Sequence, residues 1–442
     1  MSKVKAIPQP EPQSTILPPD LKDEIRRFII DLRTDLEGEP GKPFQFGTGA
    51  FFGNDQDGYI SLSGNMNKRY YLLLNRVFDF LCNTGRFSKS IAQKLLNKVI
   101  LEALDIGSHQ SDDHNVDLSI TKAFTQLDQF LGDGFKQYQV FYPICGLALD
   151  GLPLHFGEIE FVLLDARFLN NVSPILYESI REHENFLAPY ASVFVETYDD
   201  EMARQMARKI IRAHLDIINF FSDLVPYHND CFLFLPGEAQ STSTMSFVRR
   251  KDPDREMSIG VSFNVTGPSH LSLSNIVDGD DKYHFGLIRV MDVMGNSRSE
   301  LQEALLLALR WAGMASVSIV QGHKSNAVLK FITALETILL PEQARRKTKT
   351  LSTRVAALLA IGGADPQGVY KEFKKLYDSR CNVVHAGFID DIDDASLERL
   401  RYIAKYCLLT LLNREPFCSM SRCDELEDWF NRNELVRSLV KQ

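Results

Sequence analysis

Tryptophan is scarce, with two in 442 residues, and the seven cysteines, Cys82, Cys145, Cys231, Cys381, Cys407, Cys418 and Cys423, are too few and too scattered to staple so long a chain. Their odd number and the lack of any Cys-x-x-Cys pair exclude a disulfide framework and point to a reducing, cytoplasmic setting. No apolar run opens the chain as a signal peptide would. The first 19 residues instead hold Pro8, Pro10, Pro12, Pro18 and Pro19 and read as a disordered, proline-rich lead-in. Long hydrophobic runs are missing too: the most apolar stretch, Ala304 to Val320, is interrupted by Arg310 and is shorter than the ~20 residues a membrane span needs. It reads as a buried helix, and no membrane partner is expected. An excess of positive charge is absent as well. The formal net charge of −9 excludes a chain coated in basic residues for general nucleic-acid binding, although a local basic patch fits within that total.

The chain does carry enough apolar residues, 44% against 24% charged, for a sizeable core. Its length predicts two or three domains. Leu21, Ile25, Phe28, Ile29, Leu32 and Leu36 recur at helical spacing up to Gly38, and further helical patterns lie near Met66 to Cys82 and Phe87 to Leu104. The stretch from Phe44 to Ser63 reads as short strands or loops. Strands are expected at Gln139 to Leu149, Glu158 to Leu164 and Ala191 to Thr197, and a long helix around Ala203 to Phe221. Cys231 to Leu235, Met257 to Val265 and His284 to Met294 are β-prone runs bounded by Pro, Gly, Asp and Asn clusters. After about Gly295 every pattern is helical. The expected organisation is an α+β region over residues 20–295, an all-α helical bundle over 296–415, and a C-terminal docking helix over 416–442.

Between Glu342 and Arg380 the charge balance reverses. Nine basic residues, among them Arg345, Arg346, Lys374 and Lys375, stand against four acidic ones. This is the signature of a polyanion-binding surface. It runs into Leu376-Tyr377-Asp378-Ser379-Arg380-Cys381-Asn382-Val383-Val384-His385-Ala386-Gly387. The arrangement of Ala334-Leu335-Glu336 on one helix, an Arg/Lys-rich connection, Leu376-Tyr377, and then an Arg-x4-His pair followed by Gly resembles the HEPN superfamily (higher eukaryotes and prokaryotes nucleotide-binding). More narrowly it resembles the ApeA-like HEPN group of bacterial defence proteins. The likeness covers about Leu301 to Asn413. The family often places a polar residue directly after the arginine; here that place is Cys381, and the polar residue is Asn382.

The resemblance implies an all-helical domain that forms a homodimer and cleaves RNA with neither metal nor cofactor, with Arg380 and His385 as catalytic residues. Asn382, Arg345, Arg346, Lys374 and Lys375 would bind substrate. The residue types suit that chemistry. Imidazole exchanges a proton near neutrality, whereas a guanidinium stays charged and grips phosphate oxygens. On a helix the two positions lie about 140° apart around the axis and about 7.5 Å along it, so one copy converges poorly and a two-fold partner is expected. The preceding region would then sense a phage or cellular trigger or restrain activity. A non-catalytic HEPN-like protein that binds RNA or a nucleotide is the alternative. A further one puts the enzyme in the N-terminal region and leaves the helices as a dimerisation module.

Other clusters have plainer readings. Asp390, Asp391, Asp393 and Asp394 fit a helix cap better than a magnesium site. His109, Asp112, Asp113 and His114 fit a polar loop, and Tyr227 to Cys231 lacks the pairing of a hydrolase. His214, on an apolar helix face, reads as a core histidine.

Overall fold

The computed structural model describes residues 17–37, 51–54, 58–62, 64–82, 89–104, 116–132, 136–149, 153–163, 189–224, 232–235, 238, 244–250, 258–262, 271–272, 281–296, 298–340, 344, 346–386 and 393–440. The chain is mostly helical, with a small sheet in its N-terminal half and, among the described residues after Gly295, helices alone. It divides into two compact units.

The first unit comprises residues 1–138, 195–206 and 250–255. Its helices α1 (Pro19–Glu37), α2 (Gly64–Cys82), α3 (Lys89–Leu104) and α4 (Val116–Gly132) share one core, and β1 (Phe51–Asn54) pairs antiparallel with β2 (Gly58–Ser61). The apolar spacing read on α1 is the buried face: Leu21, Ile25, Phe28, Ile29 and Leu32 pack with Leu73, Leu74 and Val77 of α2 and Leu96 and Ile100 of α3. Each such side chain contributes about 1.5–3 kcal/mol by leaving water. Lys22 reaches Asp128 at 2.6 Å across this core's rim.

The second unit comprises residues 139–194, 207–249 and 256–442. Strands β3 (Lys136–Pro143), β5 (Leu154–Phe156), β6 (Ile159–Leu163), β7 (Pro189–Thr197), β8 (Thr244–Arg250) and β9 (Ser258–Ser262) form a six-stranded sheet in the order β5-β6-β7-β3-β8-β9. Phe161 sits opposite Leu154 on one side and Ala191 on the other, both antiparallel. A short parallel pair joins β4 (Leu147–Ala148) to β10 (Leu271–Ser272). Helix α5 (Asp200–Ser222) follows the sheet's central strands, and α6 (Asp281–Gly295) replaces the β-prone run expected at His284 to Met294. Leu287, Val290 and Met294 are buried there at helical spacing, which outweighs local β propensity. Of the run at Cys231 to Leu235, the described residues 232–235 contribute an isolated bridge, Phe234 to Cys145.

The helices α7 (Glu300–Val320), α8 (Lys324–Leu339), α9 (Lys347–Ala360), α10 (Pro366–Ala386), α11 (Asp394–Asn413), α12 (Cys423–Arg432) and α13 (Glu434–Val440) complete this unit. Ser299 and Gln302 start α7 with a reciprocal capping box. Gly322, at φ 77°, turns the chain into α8 after three residues, so the two helices form a hairpin whose facing residues include Ala308, Leu309, Ala312, Phe331 and Leu335. Helix α7 is long and apolar enough to cross a membrane, yet more than half of it is buried inside this unit, the place of a core helix.

The compact units do not divide near Gly295, where the change of texture lies. The sheet and the later part of α5 belong with the C-terminal helices because Asp223, just past α5, receives Ser316 of α7 and Arg401 and Lys405 of α11. The docking helix expected at the C-terminus is two helices. Leu426, Phe430, Val436 and Leu439 are buried, and Arg354 of α9 lies 4.8 Å from the Phe430 ring.

Candidate functional site

Helix α10 carries the Arg-x4-His motif. Asp365 caps its start, accepting from the backbone of Gly368 at 2.8 Å, and Pro366 occupies the first turn, where a missing N–H costs nothing. Val369, Phe373 and Tyr377 form its buried face and fix the rotation of the helix. Lys374 and Lys375 fall on the exposed side, and Arg380 lies half-buried one turn beyond Tyr377. Residues 380 and 385 are both helical, so their Cα atoms stand about 140° apart around the axis and about 7.5 Å apart along it. The side chains of Asn382 and His385, and the whole of Arg345, lie outside the described residues.

One carboxylate on the neighbouring helix organises Arg380. Glu336 is the sole acidic residue of α8; the Tyr377 hydroxyl donates to its Oε1 at 2.6 Å, and its Oε2 lies 3.5 Å from the Arg380 guanidinium. The guanidinium also sits 5.9 Å from the Tyr377 ring centre. Its Nε is buried with no hydrogen-bond partner among the described residues, and the side chain keeps 29% of its surface. The arginine is thus aimed and charge-compensated but not saturated, a state in which a phosphate oxygen competes for its donors. Sequence reading picked out Glu336 and Tyr377 as part of the motif's setting without giving them a role. A lone glutamate on a helix whose neighbours Leu335, Ile338 and Leu339 are buried was the available signal.

Other residues of the basic run separate in space. Arg346 is exposed, preceding α9. Arg354 is not on a surface: it is buried, donates to the Leu339 carbonyl at 3.0 Å and pairs with Glu427 at 2.5 Å. It holds the C-terminal helices and leaves the count of groups facing a polyanion. Asp393 caps α11, accepting from the Ser396 backbone at 2.7 Å and its hydroxyl at 2.9 Å, which lowers its carboxyl pKa. Asp390 and Asp391 lie outside the described residues, as do His109, Asp112, Asp113, His114 and Tyr227 to Cys231. Among the described residues no group of three or more His, Cys, Asp or Glu has a metal-binding arrangement.

Of a second polar cluster only His214 was legible in the sequence, as a core histidine. Along the later half of α5, His214, Asp216 and Asn219 are buried, with Asp223 just beyond. Asn219 accepts from the Leu233 backbone at 2.7 Å and donates back at 2.9 Å. Burial pushes the Asp216 carboxyl up to about 7, while Arg212, 2.9 Å away, and Arg310 pull it down. Burial also takes His214 down to about 4, although its Nδ1 keeps the Ile210 carbonyl at 2.8 Å. His214 is a core histidine, edge-on to Phe156. Gly313 of α7 lies so close to the Asp216 backbone that a Cβ there would overlap its oxygen. Through Asp223 this cluster ties the end of α5 to α7 and α11.

Comparison with protein-family models, with curated proteins and with solved structures finds no match to this chain. The family likeness therefore rests on the motif and its setting.

Proposed function

We propose that this chain is a metal-independent endoribonuclease of the HEPN type, a cytoplasmic effector of bacterial antiphage defence or toxin kind, cutting RNA where two copies bring their Arg380 and His385 together. The observation that carries this reading is the half-buried Arg380, aimed by Glu336 and Tyr377 on the helix that also bears His385. Arg380 would hold the scissile phosphate as negative charge builds on it. One His385 would take the proton of the ribose 2′-hydroxyl as its oxygen attacks phosphorus. The His385 of the second copy would protonate the departing 5′-oxygen, leaving a cyclic phosphate on one fragment and a hydroxyl on the other. Exposed Lys374, Lys375 and Arg346 would add attraction for the backbone. Purified protein incubated with transfer and messenger RNA in chelator should yield mapped cuts. His385→Ala and Arg380→Ala should each reduce them about 10²- to 10⁴-fold; equal cutting by all three proteins would remove the proposal. The region over residues 20–295 would supply restraint or trigger sensing, and deletion of residues before about Gly295 should alter toxicity or trigger dependence.

One observation favours a non-catalytic RNA- or nucleotide-binding protein instead: Glu336 already compensates Arg380, as a purely structural pair would. Binding without products, unaffected by His385→Ala, selects that reading.

A further inference from the structure

Helix α11 and Arg414 just past its end present a row of four planar groups. The Arg399 guanidinium lies 5.2 Å from the Tyr402 ring centre, Tyr402 lies 6.1 Å from Tyr406 with the rings tilted by 31°, and the Arg414 guanidinium lies 6.0 Å from the Tyr406 ring. The row follows from spacing, since residues 399, 402 and 406 recur at three and four positions and share a helix face. It is also rigidly built. Glu372 of α10 grips Arg399 through two nitrogens at 2.9–3.0 Å, and Arg414 donates to the Ile361 carbonyl at 3.4 Å. Gly362 leaves room where a Cβ would overlap the Tyr406 hydroxyl, so that ring lies against the turn after α9. The hydroxyl itself is buried with no hydrogen-bond partner among the described residues. The ring is thus placed for its face and not for its polar end. Tyr402, by contrast, is 51% exposed.

We propose that this row is a stacking platform for unpaired bases, so that the RNA bound by this chain is single-stranded. Every base has a π-face that a tyrosine ring or a guanidinium plane accepts, and each such stack is worth about 1–3 kcal/mol whatever the base. Planar rings flanked by guanidinium groups suit a ligand that carries both flat faces and negative charge, which a single-stranded RNA does. The two arginines give the platform a pull on phosphates, weakest at Arg399, where Glu372 offsets the charge. The inference deepens the RNA-cleaving reading and rests on it for the identity of the ligand. It does not need Arg380 or His385.

The test uses the full chain carrying His385→Ala, so that RNA stays intact, with a labelled unstructured RNA oligonucleotide and a duplex of equal length, read by fluorescence anisotropy. Tyr402→Ala should weaken the single strand about 5- to 150-fold per stacked base and leave the duplex nearly unchanged. Tyr402→Phe should bind as the parent, and Tyr402→Trp should bind with quenched indole emission. Equal single-strand affinity for Tyr402→Ala and parent overturns the platform, as does parallel loss for strand and duplex. Dissociation of the protein dimer by Tyr402→Ala would reassign the row to a subunit contact and also overturn it. Tyr402-dependent binding by a wild-type chain that cuts nothing would uphold the platform while removing the catalytic reading, so the two failures are distinguishable.

Discussion

The second compact unit holds arginine–carboxylate pairs of two kinds. Asp223, with no exposed side-chain surface, is enclosed by the guanidinium of Arg401, the ammonium of Lys405 and the hydroxyl of Ser316, and Lys405 also donates to the Asp223 carbonyl at 2.7 Å. Glu336 meets Arg380 at 3.5 Å, with one arginine nitrogen unsatisfied and both groups in reach of water. A buried charge with every lone pair met is structural, because any exchange of partner strands a neighbouring charge. A half-exposed pair at long range exchanges cheaply, as the proposed phosphate-holding role of Arg380 would require. The comparison breaks first at Asp223. Asp223→Ala should cost about 3–5 kcal/mol in urea unfolding, since it leaves the buried Lys405 without its anion and Arg401 with Glu398 alone. A loss below about 1 kcal/mol would show that the cluster is not what ties α5 to α11.

Next in size is Gly313→Ala. One methyl group against the Asp216 backbone oxygen must push α7 from α5, at a cost of about 1–3 kcal/mol, in spite of alanine's better helix propensity. A stabilised variant would mean that the helices part freely. The exchangeable pair should respond oppositely. Glu336→Gln keeps an acceptor for Tyr377 and removes the charge facing Arg380, so stability should fall by about 1 kcal/mol or less. The proposed RNA cleavage should fall much further, with the drop in kcat. Cleavage unchanged in Glu336→Gln would make the carboxylate irrelevant to Arg380's role.

Legibility in the sequence followed from what each element buries. Helix α1 was readable because one face is apolar and the rest is wet; α6 was misread because local β-prone residues carry little weight against burial at helical spacing. The cap at Asp393 was readable from a polar residue before an apolar run. On α5, His214 was readable as a core histidine, but Asp223 just beyond was not: its partners Arg401 and Lys405 stand about 180 positions away in sequence, and no pattern within a helix announces a partner at that separation. For the same reason Arg354 passed for a surface charge: its 6% exposure depends on Phe430 and Glu427, far along the chain. The platform on α11 shows the converse limit, since spacing alone aligns Arg399, Tyr402 and Tyr406 but exposure decides whether they face solvent.

The smallest expected effect is a cancellation on α5. His214 titrates near 4 in the folded chain against about 6.5 unfolded, because burial disfavours its cation and Arg298 and Arg310 reinforce this. Between those values the unfolded chain binds the extra proton, so this group makes stability rise with pH. Asp216 titrates near 7 against about 3.9 unfolded, with Arg212, Arg310 and Lys330 opposing burial and Glu238 adding to it. There the folded chain holds the extra proton, so its contribution is fully present below pH 4 and is lost as pH climbs to about 7. From pH 4 to 6.5 the two slopes oppose, and their joint contribution should change by less than about 1 kcal/mol. Asp216→Asn removes one of them. Unfolding free energies of that variant from urea titration should climb relative to the parent by about 1 kcal/mol per pH unit from pH 4 to 6.5, and a difference between the two proteins that stays constant over this range would show that Asp216 is ionised throughout.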